Sequence, residues 1–121
     1  MKKVLVVEDD GPIRELCVTV LADAGFLVSA APNGARALER CREVQPDLVL
    51  LDLSMPVMDG FEFLRRRDCT APVVIMSAAY HRPRLDPSAR VRDFIEKPFD
   101  LQSLVTRVGK ALDAEERPAV V

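Results

Sequence analysis

DLVLLDLSMPVMDG, residues 47–60, runs four apolar residues straight into Asp52 and then breaks up at Pro56 and Gly60. The run has the length of a strand and the unbroken apolar character of one covered on both faces. A carboxylate at the inner end of such a run is costly to bury alone. Four further runs of strand length recur along the chain: KVLVVE (3–8), FLVSAA (26–31), PVVIMS (72–77) and DFIEK (93–97). Asp52 therefore ends the third of five candidate strands.

Segments of helical period separate these runs. Ile13, Leu16, Cys17, Val20, Leu21 and Ala24 repeat at helical spacing, with Gly25 at the helix end. Asn33 is placed to cap a helix carrying Leu38, Cys41 and Val44. A short helix is expected around 60–68, with Phe61 and Leu64. The last helix follows Asp100, its expected N-cap, and carries Leu101, Leu104, Val105, Val108 and Leu112. Alternating strands and helices predict an α/β fold: a five-stranded parallel sheet with helices on both faces and right-handed crossovers. Between Ser77 and Asp93, Pro83 and Pro87 interrupt the expected fourth helix, because a proline inside a helix costs about 3 kcal/mol. That helix is therefore expected to be short or irregular.

The chain of 121 residues suits one domain, at 1–114, with 115–121 as a tail or the start of a linker. Apolar content of 49% and charged content of 30% belong to a globular chain, not a disordered one. A net charge of −2 gives no electrostatic reason to expect nucleic acid or an anionic membrane. No apolar run approaches the roughly 18 residues of a membrane span, and the start MKKVLVVEDD lacks the pattern of a signal peptide. Cys17, Cys41 and Cys69 are odd in number and widely spaced, so a disulfide framework or zinc site is not expected. Cys17 and Cys41 fall on apolar stripes and read as small core residues of a reducing cytoplasm; Cys69 is left unassigned.

In open α/β sheets, ligands bind beyond the carboxyl ends of the strands. Glu8, Asp9 and Asp10 follow the first strand, Asp52 ends the third, Ser77 the fourth and Lys97 the fifth. Two carboxylates about 4 Å apart repel by about 4 kcal/mol at an effective dielectric near 20, so such an edge calls for cations. Lys97 supplies one charge, and a hard divalent ion such as Mg2+ suits the remaining oxygens. Aspartate is also a known phosphoryl acceptor.

VLVVEDD (4–10), LLDLSMPVMDG (50–60), MSA (76–78) and EKPF (96–99), in that order, resemble the response-regulator receiver domain of two-component signalling. The likeness covers nearly the whole chain. It implies a CheY-like, flavodoxin-like sheet of order 2-1-3-4-5. It implies Asp52 as phosphoacceptor, with Mg2+ (Mn2+ able to substitute) held by Asp9, Asp52, the Ser54 backbone carbonyl and Glu8, the last through water. It further implies Ser77 and Lys97 as phosphoryl-binding groups, Phe94 as the aromatic switch position and a cis Lys97–Pro98 bond. The implied function is acceptance of a phosphoryl group from a histidine kinase or phosphotransfer protein, which then switches binding to a downstream protein. The domain is then a signalling acceptor, not a turnover enzyme, acting in the cytoplasm as a monomer or phosphorylation-dependent dimer, off the membrane and without direct contact to nucleic acid. After Lys110 too little chain remains here for an output domain.

Blander readings compete at several positions. Asp10 reads as a helix cap, His81 carries no assigned chemistry, and Arg65, Arg66 and Arg67 read as a solvated helix end. Arg82, Arg84, Arg90 and Arg92 read as solvated too, in a region the family uses for docking. Two other functions compete with phosphoacceptance. A phosphorylation-independent interaction module would not need the complete acid, hydroxyl and lysine set. A phosphatase of the haloacid-dehalogenase kind wants a second acid two residues after the nucleophile, where this chain has Ser54.

Overall fold

The computed structural model describes residues 1–53, 58–78 and 89–116, the side chains of 114–116 excepted. Five parallel strands form one sheet: β1 (Lys3–Val7), β2 (Leu27–Ala31), β3 (Leu48–Asp52), β4 (Val73–Ser77) and β5 (Val91–Glu96), in the order β2-β1-β3-β4-β5. Among the described residues the helices are α1 (Gly11–Asp23), α2 (Gly34–Val44), α3 (Gly60–Arg66) and α4 (Leu101–Glu116). The expected interrupted helix lies in 79–88, outside the described residues.

Strand alternation sorts the core into two layers. Val4, Val6, Leu48, Leu50, Val74 and Met76 pack on one face with Cys17 and Leu21 of α1 and Leu104 and Val108 of α4. Leu5, Val7, Val49, Leu51, Val73 and Ile75 pack on the other with Ala37 and Cys41 of α2 and Phe63 of α3. Every residue of β3 is buried, and each large aliphatic side chain so removed from water contributes about 1.5–3 kcal/mol. Cys17 and Cys41 sit in these cores as expected, whereas Leu16, placed on the apolar stripe of α1, is 45% exposed.

The helix starts are capped where the sequence suggested. Asp10 accepts from the Ile13 amide at 3.0 Å and Asn33 from the Arg36 amide at 2.9 Å. Asp100 accepts from the Gln102 amide at 3.1 Å. Gly25, at φ +102°, takes the left-handed conformation that ends α1.

Several strand ends shift by one residue, and the larger differences from expectation fall at β5 and α3. β5 begins at Val91, two residues early, and ends at Glu96, so Lys97 lies just beyond the strand. Arg92 hid this start: β5 is an edge strand, with Arg92 exposed, and Asp93, where the strand was expected to begin, pairs with Arg107 of α4 at 2.8 Å. The third helix stops at Arg66 instead of 68. Arg67 turns extended there, and its guanidinium binds the Ala71 and Ala89 carbonyls at 2.7 and 2.9 Å. It is therefore a tether rather than part of a solvated helix end.

Gly60 packs against the backbone that carries Asp52. A Cβ there would stand 2.7 Å from the Asp52 carbonyl oxygen and 2.7 Å from Leu53 Cα, both backbone atoms. Gly60→Ala is expected to lower stability by about 1–2 kcal/mol, the overpacking cost less the gain in helix propensity. Urea unfolding measures it, and an unchanged or raised midpoint would contradict the close approach.

Candidate functional site

The parallel register builds the site. β1 pairs with β3 so that Val7 stands opposite Leu51, and one further residue on each strand brings Glu8 beside Asp52. Both continue the alternation that puts Val6 and Leu50 on the α1–α4 face. Glu8 is fully buried and Asp52 is 4% exposed. Asp9, the next residue, is exposed, and the three side chains offer carboxylate oxygens all within 4.8 Å of one another.

β4 and β5 supply the other side. Asp52 stands opposite Met76, so Ser77 lies one residue farther along β4, half-buried, opposite Glu96. The Lys97 amide donates to the Ser77 carbonyl at 2.9 Å, prolonging the β4–β5 ladder past the end of β5. Lys97 Nζ donates to Glu8 Oε1 and lies 3.4 Å from Asp52 Oδ2. The Lys97–Pro98 bond is cis. Phe94 stands opposite Ile75 on β5, half-buried against the α2–α3 core.

The electrostatics follow from burial. Glu8 is pushed up from 4.5 to about 8, first by loss of water and then by the neighbouring Asp52, with Lys97 opposing. Burial pulls Lys97 down, but its pairing with Glu8 and Asp52 outweighs this and leaves it raised. Glu8 Oε2 is buried and makes no hydrogen bond among the described residues. One open acid, two buried acids and an unpartnered buried oxygen form a hard-oxygen donor set that fits a divalent cation such as Mg2+.

Not every expected site residue can be placed. Ser54 and Pro56 lie outside the described residues, as do His81, Arg82 and Arg84. Of the remaining arginines in that region, Arg92 is exposed, while Arg90 is half-buried at φ +58° and its carbonyl accepts from the Val73 amide. Arg14 was not singled out from the sequence. Its guanidinium donates to the Glu8 carbonyl at 2.9 Å and the Asp9 carbonyl at 3.4 Å, holding the acidic turn from the first turn of α1. The signal was an arginine one helical turn past the acids, too common a pattern to stand out.

A family model for the response regulator receiver domain matches residues 4–109, and the chain belongs to that family. Among curated relatives, the DNA-binding response regulator MtrA of Mycolicibacterium smegmatis is 37% identical over 98% of this chain and 54% of its own length. The transcriptional regulatory protein CseB of Streptomyces coelicolor is 42% identical over 90% of this chain and 48% of its own. The chain thus spans about half the length of the curated relatives it matches. Among solved structures, a Francisella response regulator receiver domain superposes with a TM-score of 0.83 at 27% identity, covering 96% of this chain and all of that one (100%). The Thermotoga maritima response regulator TrrA, solved in complex with Mg2+ and BeF, gives a TM-score of 0.78 at 33% identity, covering 92% of this chain and 99% of that one. This is a receiver domain of two-component response regulators, a signalling domain. Among the described residues no helix is long and apolar enough to cross a membrane.

Proposed function

We propose that Asp52 accepts a phosphoryl group from a phosphohistidine of a histidine kinase or phosphotransfer protein. The observation that carries this reading is the buried Asp52 carboxylate, set between a lysine and two further acids whose oxygens lie within 4.8 Å. A carboxylate oxygen of Asp52 attacks phosphorus, the phosphorus–nitrogen bond breaks, and the imidazole leaves with its electron pair. Asp9, Asp52, the Ser54 carbonyl and, through water, Glu8 are the groups that would hold Mg2+. The ion would neutralise the charge of the incoming phosphoryl oxygens.

The chain's own residues do the rest. β3 holds Asp52 in place, so little freedom is lost on attack. Lys97, already directed at Asp52, transfers part of its attraction to a phosphoryl oxygen, and the Ser77 hydroxyl donates to another. Phosphorylation replaces one negative charge by a more highly charged group. Drawing Ser77 and Lys97 toward that group biases the ends of β4 and β5, and Phe94 with them, toward a second arrangement. A downstream protein reads that arrangement in the cytoplasm, with the domain as a monomer or a phosphorylation-dependent dimer, away from the membrane and without direct nucleic-acid contact by these residues.

Acetyl phosphate with Mg2+ is expected to give a labile adduct of about 80 Da, released by base or hydroxylamine and absent from Asp52→Asn and from chelator-treated protein. Intact-mass spectrometry reads it. No adduct on the wild-type chain would overturn the proposal.

A further inference from the structure

The third cysteine, unassigned from the sequence, is not isolated. Cys41 lies in the last turn of α2 and Cys69 in the loop between α3 and β4, and their sulfurs are 3.1 Å apart. Both are free thiols. They occupy the edge of the sheet where β3 and β4 begin, opposite the carboxylates at the strand ends. Arg67 Nη1 lies 3.8 Å from the Cys69 sulfur. The same guanidinium is pinned by the Ala71 and Ala89 carbonyls, so its charge is fixed beside that sulfur.

The pair opens onto a groove of about 570 Å³ that also takes in Lys2, Arg42, Asp47, Asp68 and Thr70. Cys41 is 1% exposed and Cys69 is half-buried, so solvent reaches the pair from the Cys69 side.

The two thiols are unequal. Cys69 is pulled down to about 6, first by its hydrogen bond with Cys41, then by Arg67 and the Ala71 backbone against the cost of burial. Cys41 is pushed up by the same hydrogen bond and by burial, and keeps the proton. Cys17, buried in the other core, is pushed up to about 11 by burial and stays a thiol. A reactive thiolate therefore has a resolving thiol at contact distance, the arrangement that thiol–disulfide redox chemistry requires.

We propose that Cys41 and Cys69 are a redox-active dithiol, oxidised by a small hydroperoxide to an intramolecular disulfide. The Cys69 thiolate attacks one peroxide oxygen, the O–O bond breaks, and the leaving hydroxide takes a proton to become water. Cys69 is now a sulfenic acid, oxidised by two electrons. The Cys41 sulfur then attacks the Cys69 sulfur, the S–O bond breaks, and the departing hydroxide leaves as water with the Cys41 proton. Two thiols and one hydrogen peroxide thus become one disulfide and two waters. The sulfurs must close by about 1 Å to reach bonding distance. The bond staples α2 to the loop that leads into β4 and closes a loop with the cysteines 28 positions apart.

The test uses the whole chain and hydrogen peroxide, without metal or phosphodonor. The oxidised protein is expected to be lighter by about 2 Da, with one peptide pair linked through Cys41 and Cys69 and the change reversed by a thiol reductant. Its Tm is expected to rise by roughly 5–10 °C, because the bridge constrains the unfolded chain. Cys69 is expected to be consumed at least about tenfold faster than Cys17. In Cys41→Ser the reaction should stop at a sulfenic acid on Cys69 that a cyclic 1,3-diketone traps. Peptide mapping of the wild-type chain decides the matter even if that variant folds poorly. Equal consumption of Cys17 and Cys69, or oxidation of Cys69 to sulfinic acid with no linked peptide, would overturn the proposal.

Discussion

Glu8→Gln is expected to stabilise the metal-free chain at pH 8 by about 3 kcal/mol while leaving it nearly unchanged at pH 4.5. Glu8 titrates near 8 in the folded protein against 4.5 for the ordinary group. Between those values the native state holds a proton that the unfolded chain has released. Stability therefore falls as pH rises through this window, is full below 4.5 and levels off above 8. Shifts of this size correspond to about 3–5 kcal/mol over the whole window. Glutamine keeps the shape of the protonated acid and cannot ionise, so its stability curve lacks this slope. Urea unfolding from pH 4.5 to 9, compared between the two proteins, removes the contribution of groups that do not touch Glu8 and reads Glu8 together with its partners Asp52 and Lys97. Mg2+ should restore part of the wild-type loss at pH 8, because a ligand that binds only the native state stabilises it by mass action. Parallel curves for the two proteins would show that Glu8 is not held protonated.

Lys97→Met is expected to cost about 2–4 kcal/mol at pH 8, the penalty of leaving a buried ion pair without one partner. Lys97 contacts both Glu8 and Asp52, which are otherwise sealed from water. Without the ammonium, Glu8 retains its proton to higher pH, which trims the loss and carries the falling limb of the curve beyond pH 8. The lysine's own titration does not intrude. Its pKa is raised above 10.5, so the stability it contributes is present below that value and is lost only as pH climbs through the folded value. In a Glu8→Gln background the same lysine substitution should cost less, since one carboxylate rather than two is stranded. The double-mutant cycle is expected to show a coupling of about 1–2 kcal/mol. Simple additivity would mean that the three side chains do not act as one cluster.

β1, β3 and β4 were legible because each is a run of apolar residues leading into a polar one, and the structure preserves that pattern from Val4 to Glu8 and from Leu48 to Asp52. Their order in the sheet was not. Periodicity says which residues face inward but not which strands are neighbours, and the order came from the family resemblance. Once β1 and β3 adjoin, the meeting of Glu8, Asp9 and Asp52 follows from register alone. β5 was read two residues short because an edge strand exposes residues such as Arg92. Arg14 was passed over and Arg67 was read as solvated for a common reason: each binds backbone carbonyls, which leave no mark in a sequence. The Cys41–Cys69 contact depends on α2 packing against the α3–β4 loop, a tertiary event that spacing cannot reveal.

The rung from the Lys97 amide to the Ser77 carbonyl has a use of its own. It joins the backbones of the two residues proposed to meet a phosphoryl group, yet neither of its atoms belongs to the side chains that would do so. The amide is thus a built-in gauge of the site. A change that draws the two strand ends together slows its exchange with deuterated solvent, and one that parts them speeds it, whether or not any partner is present. Substitutions at Ser77 or Lys97 leave the gauge in place, because they remove side chains and not the amide or the carbonyl. The state of the carboxylate cluster can therefore be followed at one backbone proton.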